Sequence, residues 1–449
     1  MKTSRREFLL EAGFSLSAAT MLASFASLNA VQAQTASDYK ALVCIFLFGG
    51  NDGNNTIIPA TNYADYNAIR GASSGINIPQ ANLLRIGAPS HGADFGLHPS
   101  LPELQTLYTQ GKLAVLCNVG TLVSPVNRAQ LLNGAPRPQN LFSHSDQQIQ
   151  WQAASTASAV SATGWGGRTA EQTDSYNGTN TFPRVISTAG EIMFGLGSQA
   201  RAFVPGAGLA GFPVDTSKNQ RYKALRSIMG YDRDNSLIAF NSALTETAID
   251  NMASLNATLS AAASGTPMAT VFPNTSLGNQ LKQIATIIKA RTNLGLKRQI
   301  FFASLGGFDT HNNQLAMQKD LLQQLSQALK AFSAATIELS VESQVTTFSL
   351  SDFGRTLAPS SGGGSDHAWG NHQFIMGGAV RGGNFYGRYP TLQLQGVDDA
   401  STEGRWIPTI AVDQYGATLA KWFGLGSSAI GTVFPNLGNF TTADLGFMG

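Results

Sequence analysis

The segment Ala41-Leu-Val-Cys-Ile-Phe-Leu-Phe48 decides the fold, because every one of its residues is apolar. A run without alternation is typical of a strand that is buried on both faces, as in parallel sheets covered by helices. The run ends at Gly49-Gly50 and continues into polar residues that include Asp52. A second run of the same kind covers residues 113–119. Together they predict a central sheet with apolar layers on both sides.

Outward from these runs, strand and helix patterns alternate along the chain. Further strands are predicted at 298–305, 345–350 and 374–380, with weaker patterns at 183–187 and 201–204. Helices are predicted at 99–111, 146–154, 278–296, 313–338 and 412–423. This alternation favours a three-layer α/β sandwich with a mainly parallel sheet. Residues 34–449 are predicted to form one domain, with a helical insertion at about 218–262.

The first 33 residues have the parts of a signal peptide. Arg5 and Arg6 precede Phe8, an apolar and small-residue stretch follows, and the stretch ends in Val-Gln-Ala33. The paired arginines are the twin-arginine signature. Several Ser and Thr residues make the stretch too polar for a good membrane anchor. We therefore expect cleavage near Ala33, the twin-arginine translocase as a partner during export, and a periplasmic or secreted protein.

The composition excludes several classes of protein. The net charge is +2 and only 12% of the residues are charged, without a basic cluster that would neutralise nucleic-acid phosphates. Two cysteines, Cys44 and Cys117, are too few for a disulfide scaffold or a cysteine zinc module. Both lie in predicted buried strands and are expected to be inert core residues, with a disulfide between them in the periplasm as the alternative. No later run of about 18 apolar residues predicts a membrane span.

Polar residues gather where predicted strands end or begin. Ligands bind beyond the carboxyl ends of the strands in open α/β sheets, so these residues are candidates for one crevice. Carboxylates crowded together repel unless a cation neutralises them, and carboxylate with imidazole suits divalent metals. Each residue is also open to a plain interpretation as a turn former, helix cap or loop residue. The candidate ligands are Asp52, Asp309, His311, Asp352, Asp366 and His367.

Ser143 and His144 precede the helix predicted at 146–154. A serine at a helix start is either a nucleophile favoured by the backbone N–H groups or an ordinary cap. His144 is a candidate general acid, or a group that orients Ser143. Arg355 and Arg168 each adjoin a glycine and are either bidentate clamps for an oxyanion or structural ion-pair partners. No Gly-x-Ser-x-Gly elbow is present, which disfavours an α/β-hydrolase triad.

A set of motifs across nearly the whole chain resembles the domain of unknown function 1501 family. The motifs are Leu47-Phe-Gly-Gly-Asn-Asp-Gly-Asn-Asn-Thr56, Leu97-His-Pro-Ser-Leu101, Phe142-Ser-His144, Gly164-Trp-Gly-Gly-Arg168, Gly307-Phe-Asp-Thr-His311, Ser351-Asp-Phe-Gly-Arg-Thr356, Gly364-Ser-Asp-His-Ala-Trp-Gly-Asn-His372, Arg405-Trp-Ile-Pro408 and Asp413-Gln-Tyr415. The family is placed with the alkaline phosphatase and sulfatase superfamily, which implies an alkaline-phosphatase-like sandwich and cleavage of phosphate or sulfate esters.

The resemblance also implies roles for single residues. Ser143 matches the nucleophile; the implied metal ligands are Asp52, Asp309, His311, Asp352 and His367. One residue separates Asp309 from His311 instead of the superfamily's three, and Phe353 stands where a phosphatase has histidine. The set of ligands for a second metal ion is therefore incomplete unless Asp366 or His372 supplies the missing ligand.

The expected function is an exported hydrolase of phosphate or sulfate esters that uses one or two divalent ions of zinc, manganese or calcium. Its substrate would be a small-molecule or polysaccharide ester. The alternative is a non-catalytic envelope scaffold, of the same fold, that binds polysaccharide or a partner. The two differ in metal content, since the hydrolase needs bound metal.

Overall fold

The structure of the protein is a computed structural model that describes residues 39–71, 75–156, 162–206, 219–263 and 267–449. The predicted signal segment, residues 1–33, lies outside the described residues. None of the helices in the described ranges is long and apolar enough to cross a bilayer.

Strands and helices alternate along the described chain, as the sequence predicts. The strands are β1 (Lys40–Phe48), β2 (Ile57–Pro59), β3 (Leu84–Ala88), β4 (Ala93–Leu97), β5 (Leu113–Gly120), β6 (Val185–Ser187), β7 (Arg298–Gly306), β8 (Val345–Ser351), β9 (Asn371–Met376), β10 (Phe385–Tyr386) and β11 (Ile410–Ala411). The helices are α1 (Gly53–Thr56), α2 (Tyr63–Arg70), α3 (Pro102–Thr109), α4 (Arg128–Leu132), α5 (His144–Ala153), α6 (Trp165–Gln172), α7 (Gln220–Met229), α8 (Ser236–Ala263), α9 (Ser276–Lys289), α10 (Gln314–Glu338), α11 (Val412–Phe423) and α12 (Ile430–Val433).

The central sheet has the strand order β10-β5-β9-β8-β1-β7-β6, with β11 beside β5. β1 pairs in parallel with both β7 and β8, and β6 continues the parallel set beside β7. β9 alone in this described sheet runs antiparallel to its neighbours β5 and β8. A small antiparallel sheet with the order β2-β4-β3 lies apart from the main one. The predicted mainly parallel sheet is confirmed.

The two faces of β1 belong to two separate cores, which is why its sequence shows no alternation. Val43 and Ile45 pack with residues of α3, α9 and α10. Leu42, Cys44 and Phe46 pack with residues of α6, α11 and α12. Every residue from 41 to 47 is buried. Helices therefore cover both sides of the sheet, and the predicted three-layer sandwich is confirmed.

Some elements differ from the sequence prediction. The strand predicted at 374–380 begins earlier, at Asn371, and ends at Met376. The pattern at 201–204 contributes an isolated bridge between Phe203 and Ile186, not a strand. The helical stretch predicted at 218–262 contains two helices, α7 and α8. Cys44 and Cys117 are free and buried, in agreement with core positions.

Helix α11 begins with a buried carboxyl group, that of Asp413, which is 1% exposed. Its Oδ1 atom has no hydrogen-bond partner among the described residues. Burial raises the pKa of Asp413 to about 7, although a hydrogen bond from Asn436 and the charge of Arg168 oppose the rise. The carboxyl group therefore lowers the free energy of unfolding whenever it is ionised.

Candidate functional site

The polar residues meet at one edge of the central sheet. β1, β7 and β8 are parallel, so their carboxyl ends lie together, and β9 begins at that edge because it runs the opposite way. Asp309 and Asp352 follow β7 and β8, while His367 precedes β9. His144 reaches the same place from the first residue of α5. The orientation of β9 explains why residues before a strand join residues that follow other strands.

Three imidazole rings converge on a single carboxylate oxygen. The distances from Oδ1 of Asp309 are 3.0 Å to Nε2 of His311, 3.3 Å to Nε2 of His367 and 3.4 Å to Nε2 of His144. The Nε2 atoms of His311 and His367 are 2.9 Å apart. We call these four residues the histidine cluster. Its members His144, Asp309 and His367 place their ligand atoms within 4.8 Å of one another, close enough to hold one metal ion.

The opposite nitrogen of each ring is held by an acceptor. The Nδ1 contacts are His144 to Oδ2 of Asp352 at 2.6 Å, His311 to Oδ1 of Asp366 at 2.9 Å, and His367 to the carbonyl of Phe142 at 2.7 Å. A carbonyl oxygen and an ionised carboxylate only accept hydrogen bonds, so Nδ1 carries the hydrogen in each ring. A neutral ring of this tautomer directs the bare lone pair of Nε2 into the cluster.

The electrostatics of the cluster keep Asp309 ionised and act in opposite directions on two of the rings. Burial raises the pKa of Asp309, but the hydrogen bond and charge of Arg355, with His144 and His311, outweigh it and lower that pKa to about 2. The hydrogen bond to Asp352 raises the pKa of His144. Burial lowers the pKa of His367. Facing lone pairs beside an ionised carboxylate repel one another unless a proton or a metal ion lies between them.

Two of the predicted ligands lie behind the rings instead of beside the Nε2 atoms. Asp352 is fully buried, and its Oδ2 atom accepts from His144 and, at 2.9 Å, from Nε2 of Gln148. Its Oδ1 atom accepts from the Gly49 amide at 3.2 Å. Asp366 contacts the Nδ1 side of His311. Asp352 and Asp366 thus support the rings from their Nδ1 side, and direct metal contact by either residue stays a prediction.

Asp52 lies outside the histidine cluster. Its carboxylate is fully buried and makes a bidentate ion pair with Arg70. Oδ1 also accepts from the backbone amide of Asn54 at 3.0 Å, and Oδ2 accepts from the side chain of Gln314. Asp52 is thus held in a buried ion pair, and its role as a metal ligand stays a prediction.

The two candidate arginine clamps donate mainly to the protein backbone. Arg355 is fully buried and contacts Asp309 at 2.5 Å. Its other donors reach the carbonyls of Gly49, Gly50, Phe308 and Ser365. Arg168 donates to the carbonyls of Ala153, Thr163 and Val433. Of the two interpretations left open for Arg355 and Arg168, these contacts support structural partners over oxyanion clamps.

Ser143 occupies the N-cap position of α5, but its side chain makes no cap hydrogen bond. The hydroxyl donates to Oδ2 of Asp146 at 2.5 Å and lies 3.1 Å from the Ser145 hydroxyl. The hydroxyl is thus engaged by a carboxylate and not by the helix backbone. This contact leaves the nucleophile interpretation of Ser143 standing.

A family model described as "Protein of unknown function (DUF1501)" matches residues 39–411. The chain belongs to the DUF1501 family. No curated protein matches the chain. The resemblance drawn from the motifs is confirmed at the level of the family.

Solved structures similar to this DUF1501 chain include three bacterial proteins. PsFucS1 sulfatase from Pseudoalteromonas sp. is 10% identical with a TM-score of 0.35, over 90% of this chain and 71% of that one. The C-terminal periplasmic domain of EcEptC from Escherichia coli, in complex with Zn, is 10% identical with a TM-score of 0.35, over 88% and 85%. Lipoteichoic acid synthase LtaP from Listeria monocytogenes is 8% identical with a TM-score of 0.33, over 88% and 74%. Scores this low carry no argument about activity.

Several residues that support the DUF1501 site were missed among the predicted site residues, and Phe142 and Arg405 carry only the signal of their family motifs. Phe142 supplies the carbonyl for His367, and the guanidinium of Arg405 lies 4.9 Å from its ring centre. Arg405 also donates to the carbonyl of His367 at 2.8 Å. Gln148 is the exception, because residues four apart share a helix face and it follows His144 at that spacing.

His372 does not substitute for a missing ligand. Its ring stacks on Tyr389 with centres 4.7 Å apart, and Nδ1 accepts from the Asn118 amide at 3.1 Å. Burial lowers the pKa of His372 to about 3. The residue is therefore a neutral core histidine of β9.

Proposed function

We propose that this DUF1501 protein is an exported, metal-dependent hydrolase of phosphate or sulfate esters. The observation that carries the proposal is the convergence of three imidazole Nε2 atoms on Oδ1 of Asp309. Such a set of donors is suited to a divalent metal.

The residues present fit a metal ion. Nε2 of His144 is buried and has no hydrogen-bond partner among the described residues. An orphaned polar atom of this kind costs free energy unless a ligand satisfies it. The same atom faces Oδ1 of Asp309, so one ion would bind Nε2 of His144 together with Asp309 and His367.

A divalent ion supplies Lewis-acid polarisation of an ester oxygen and a more acidic bound water. The chain supplies the remaining groups. Ser143 directly precedes His144, and we assign it the role of nucleophile. Its hydroxyl already donates to Asp146, so the Asp146 carboxylate is positioned to accept the proton as the oxygen bonds to phosphorus or sulfur and the alcohol part of the ester departs. Water would then cleave the serine ester and regenerate the hydroxyl. The cluster is open to solvent, since Asp309 is 48% and His311 is 40% exposed, which gives small-molecule and polysaccharide esters access.

One observation favours the alternative, a non-catalytic envelope scaffold that binds polysaccharide or a partner. Arg168 donates mainly to backbone carbonyls, and Arg355 donates to backbone carbonyls and to Asp309, which leaves neither side chain aimed at an ester. Binding of the anionic ester would then depend only on the metal ion and the N-terminus of α5. One experiment therefore has to distinguish a non-catalytic scaffold from a hydrolase.

The test combines metal content with ester cleavage. We expect purified wild-type protein to contain bound metal by elemental analysis and to cleave an aryl phosphate or an aryl sulfate with zinc, manganese or calcium supplied. His311→Ala should lose both metal and activity, because it removes one donor. His91→Ala is the matched control, since His91 lies away from the cluster beside Ser90. Metal-loaded protein that cleaves neither ester would support the scaffold.

A further inference from the structure

We infer that the histidine cluster holds one metal ion of the zinc type, and that Asp352 and Asp366 orient the rings without binding the ion. The inference rests on the proposed function and specifies the composition of its metal centre. It also assigns Arg70 and Arg355 a role as fixed cations that leave no place for a second metal ion.

The spacing of Asp309 Oδ1 from the three Nε2 atoms is that of ligands around a single small ion, and the ligand atoms of His144, Asp309 and His367 lie within 4.8 Å of one another. Ligands about 2.0–2.1 Å from a tetrahedral zinc ion lie about 3.3 Å from one another. The distances from Asp309 to the three Nε2 atoms are 3.0, 3.3 and 3.4 Å. Three nitrogens and one oxygen form a nitrogen-rich set that zinc accepts and calcium, which takes six to eight oxygens, does not.

The acceptors behind the rings match the usual support of a metal-bound histidine. A ligating histidine almost always donates its other N–H to a carboxylate or a carbonyl, and this contact fixes the tautomer and the ring orientation. His144 and His311 donate to Asp352 and Asp366, and His367 donates to a backbone carbonyl. All three rings are therefore set to present Nε2 to a common ion.

A second ion would find the buried carboxylates of this edge, Asp52 and Asp352, already paired or hydrogen-bonded. Asp52 is paired with Arg70 and accepts two further hydrogen bonds. Asp352 accepts from His144, Gln148 and a backbone amide. Asp309 is the carboxylate that both faces the rings and contacts Arg355. Both guanidinium groups are fully buried, so they are permanent parts of the site.

The formal charges at this edge of the central sheet sum to a value that one divalent ion neutralises. The Asp52 and Arg70 pair is neutral. Asp309, Asp352 and Asp366, set against Arg355 and neutral rings, leave three negative charges and one positive charge, hence −2. One divalent ion cancels this charge, whereas two would leave an excess of +2 in a partly buried site, which is unfavourable.

The experiment titrates metal-free wild-type protein with cobalt(II) and zinc(II). We expect saturation at one ion per chain, strong visible absorption typical of four-coordinate cobalt, and the electron paramagnetic resonance of an isolated ion. Excess calcium should not displace the bound ion. Two ions per chain, or a spin-coupled cobalt pair, would overturn the inference while leaving the proposed hydrolase intact. Absence of any bound metal would overturn both.

Two variants separate an orienting carboxylate from a ligand. Asp366→Asn should still bind one ion, with affinity about 10- to 100-fold weaker, since loss of an outer acceptor has effects of that size. Asp352→Asn should do the same, and Asp309→Asn should weaken binding more than either. Asp94→Asn, at an exposed position of β4, is the matched control and should bind like wild type. Loss of the ion from Asp366→Asn, at a partly exposed site, would show that this carboxylate is a ligand.

Discussion

Replacing Asp413 by asparagine should stabilise the protein at pH 8 and change its stability little at pH 4. Burial raises the pKa of Asp413 to about 7, against 3.8 for an ordinary aspartate. The folded protein therefore keeps a proton that the unfolded chain releases between these two values. Stability falls as pH rises through that window and levels off above pH 7. At about 1.4 kcal/mol per pH unit, the cost of the ionised carboxylate is on the order of 4 kcal/mol.

The assay is denaturant unfolding of wild type and Asp413→Asn at several values from pH 4 to pH 8. The free energy of unfolding of the variant should exceed that of wild type by an amount that grows across the window. Asp320→Asn, at an exposed position of α10, controls for the removal of one carboxylate from a helix. A difference between wild type and Asp413→Asn that is the same at pH 4 and pH 8 would refute the reasoning.

Three further predictions concern other parts of the chain. Ser143→Ala should abolish most ester cleavage while bound metal is retained, and an unchanged kcat would exclude the nucleophile role. Because the side chain makes no cap hydrogen bond, the free energy of unfolding should fall by less than the roughly 1 kcal/mol expected for a lost cap. Arg70→Met should lower the free energy of unfolding by about 3–5 kcal/mol, because it leaves Asp52 buried and unpaired, and a chemical denaturation curve like that of wild type would contradict this. Changing Arg5 and Arg6 to lysine should retain precursor in the cytoplasm, since a receptor reads the pair; normal periplasmic yield on fractionation would exclude this route.

The sheet was predictable from the sequence because its central strands are buried on both sides. An unbroken apolar run has few other solutions in a globular fold, and β1 is such a run, whereas β7 and β8 are buried strands that mix polar with apolar residues. The direction of β9 was not predictable, because the hydrophobicity of a buried strand carries no information about its polarity. That direction places His367 at the site, since it brings the beginning of β9 to the carboxyl ends of its neighbours.

The polar edge was predicted, but the roles of its members depend on distances that the sequence does not hold. His144 was expected as a general acid or an orienting group, and the structure places its Nε2 atom in the histidine cluster. Asp52 carries the same Gly-Gly-Asn-Asp signal whether its partner is a metal or an arginine. The partner Arg70 lies in α2, and no motif links it to the strand-end residues. The type and the approximate position of each residue at the polar edge were therefore predictable from the sequence, whereas its contact partner was not.

The pairing of β1 has a consequence for biosynthesis. β1 lies between β7 and β8, and the contact between Gly49 and Asp352 joins residues 303 positions apart. The most apolar strand therefore leaves the ribosome long before either neighbour exists. Contacts between distant residues slow folding, and an unpaired apolar strand is prone to aggregate. The histidine cluster shares those late contacts, so it can form only after the chain has been synthesised beyond His367. Overproduction should therefore yield insoluble chains unless a chaperone protects β1 during translation.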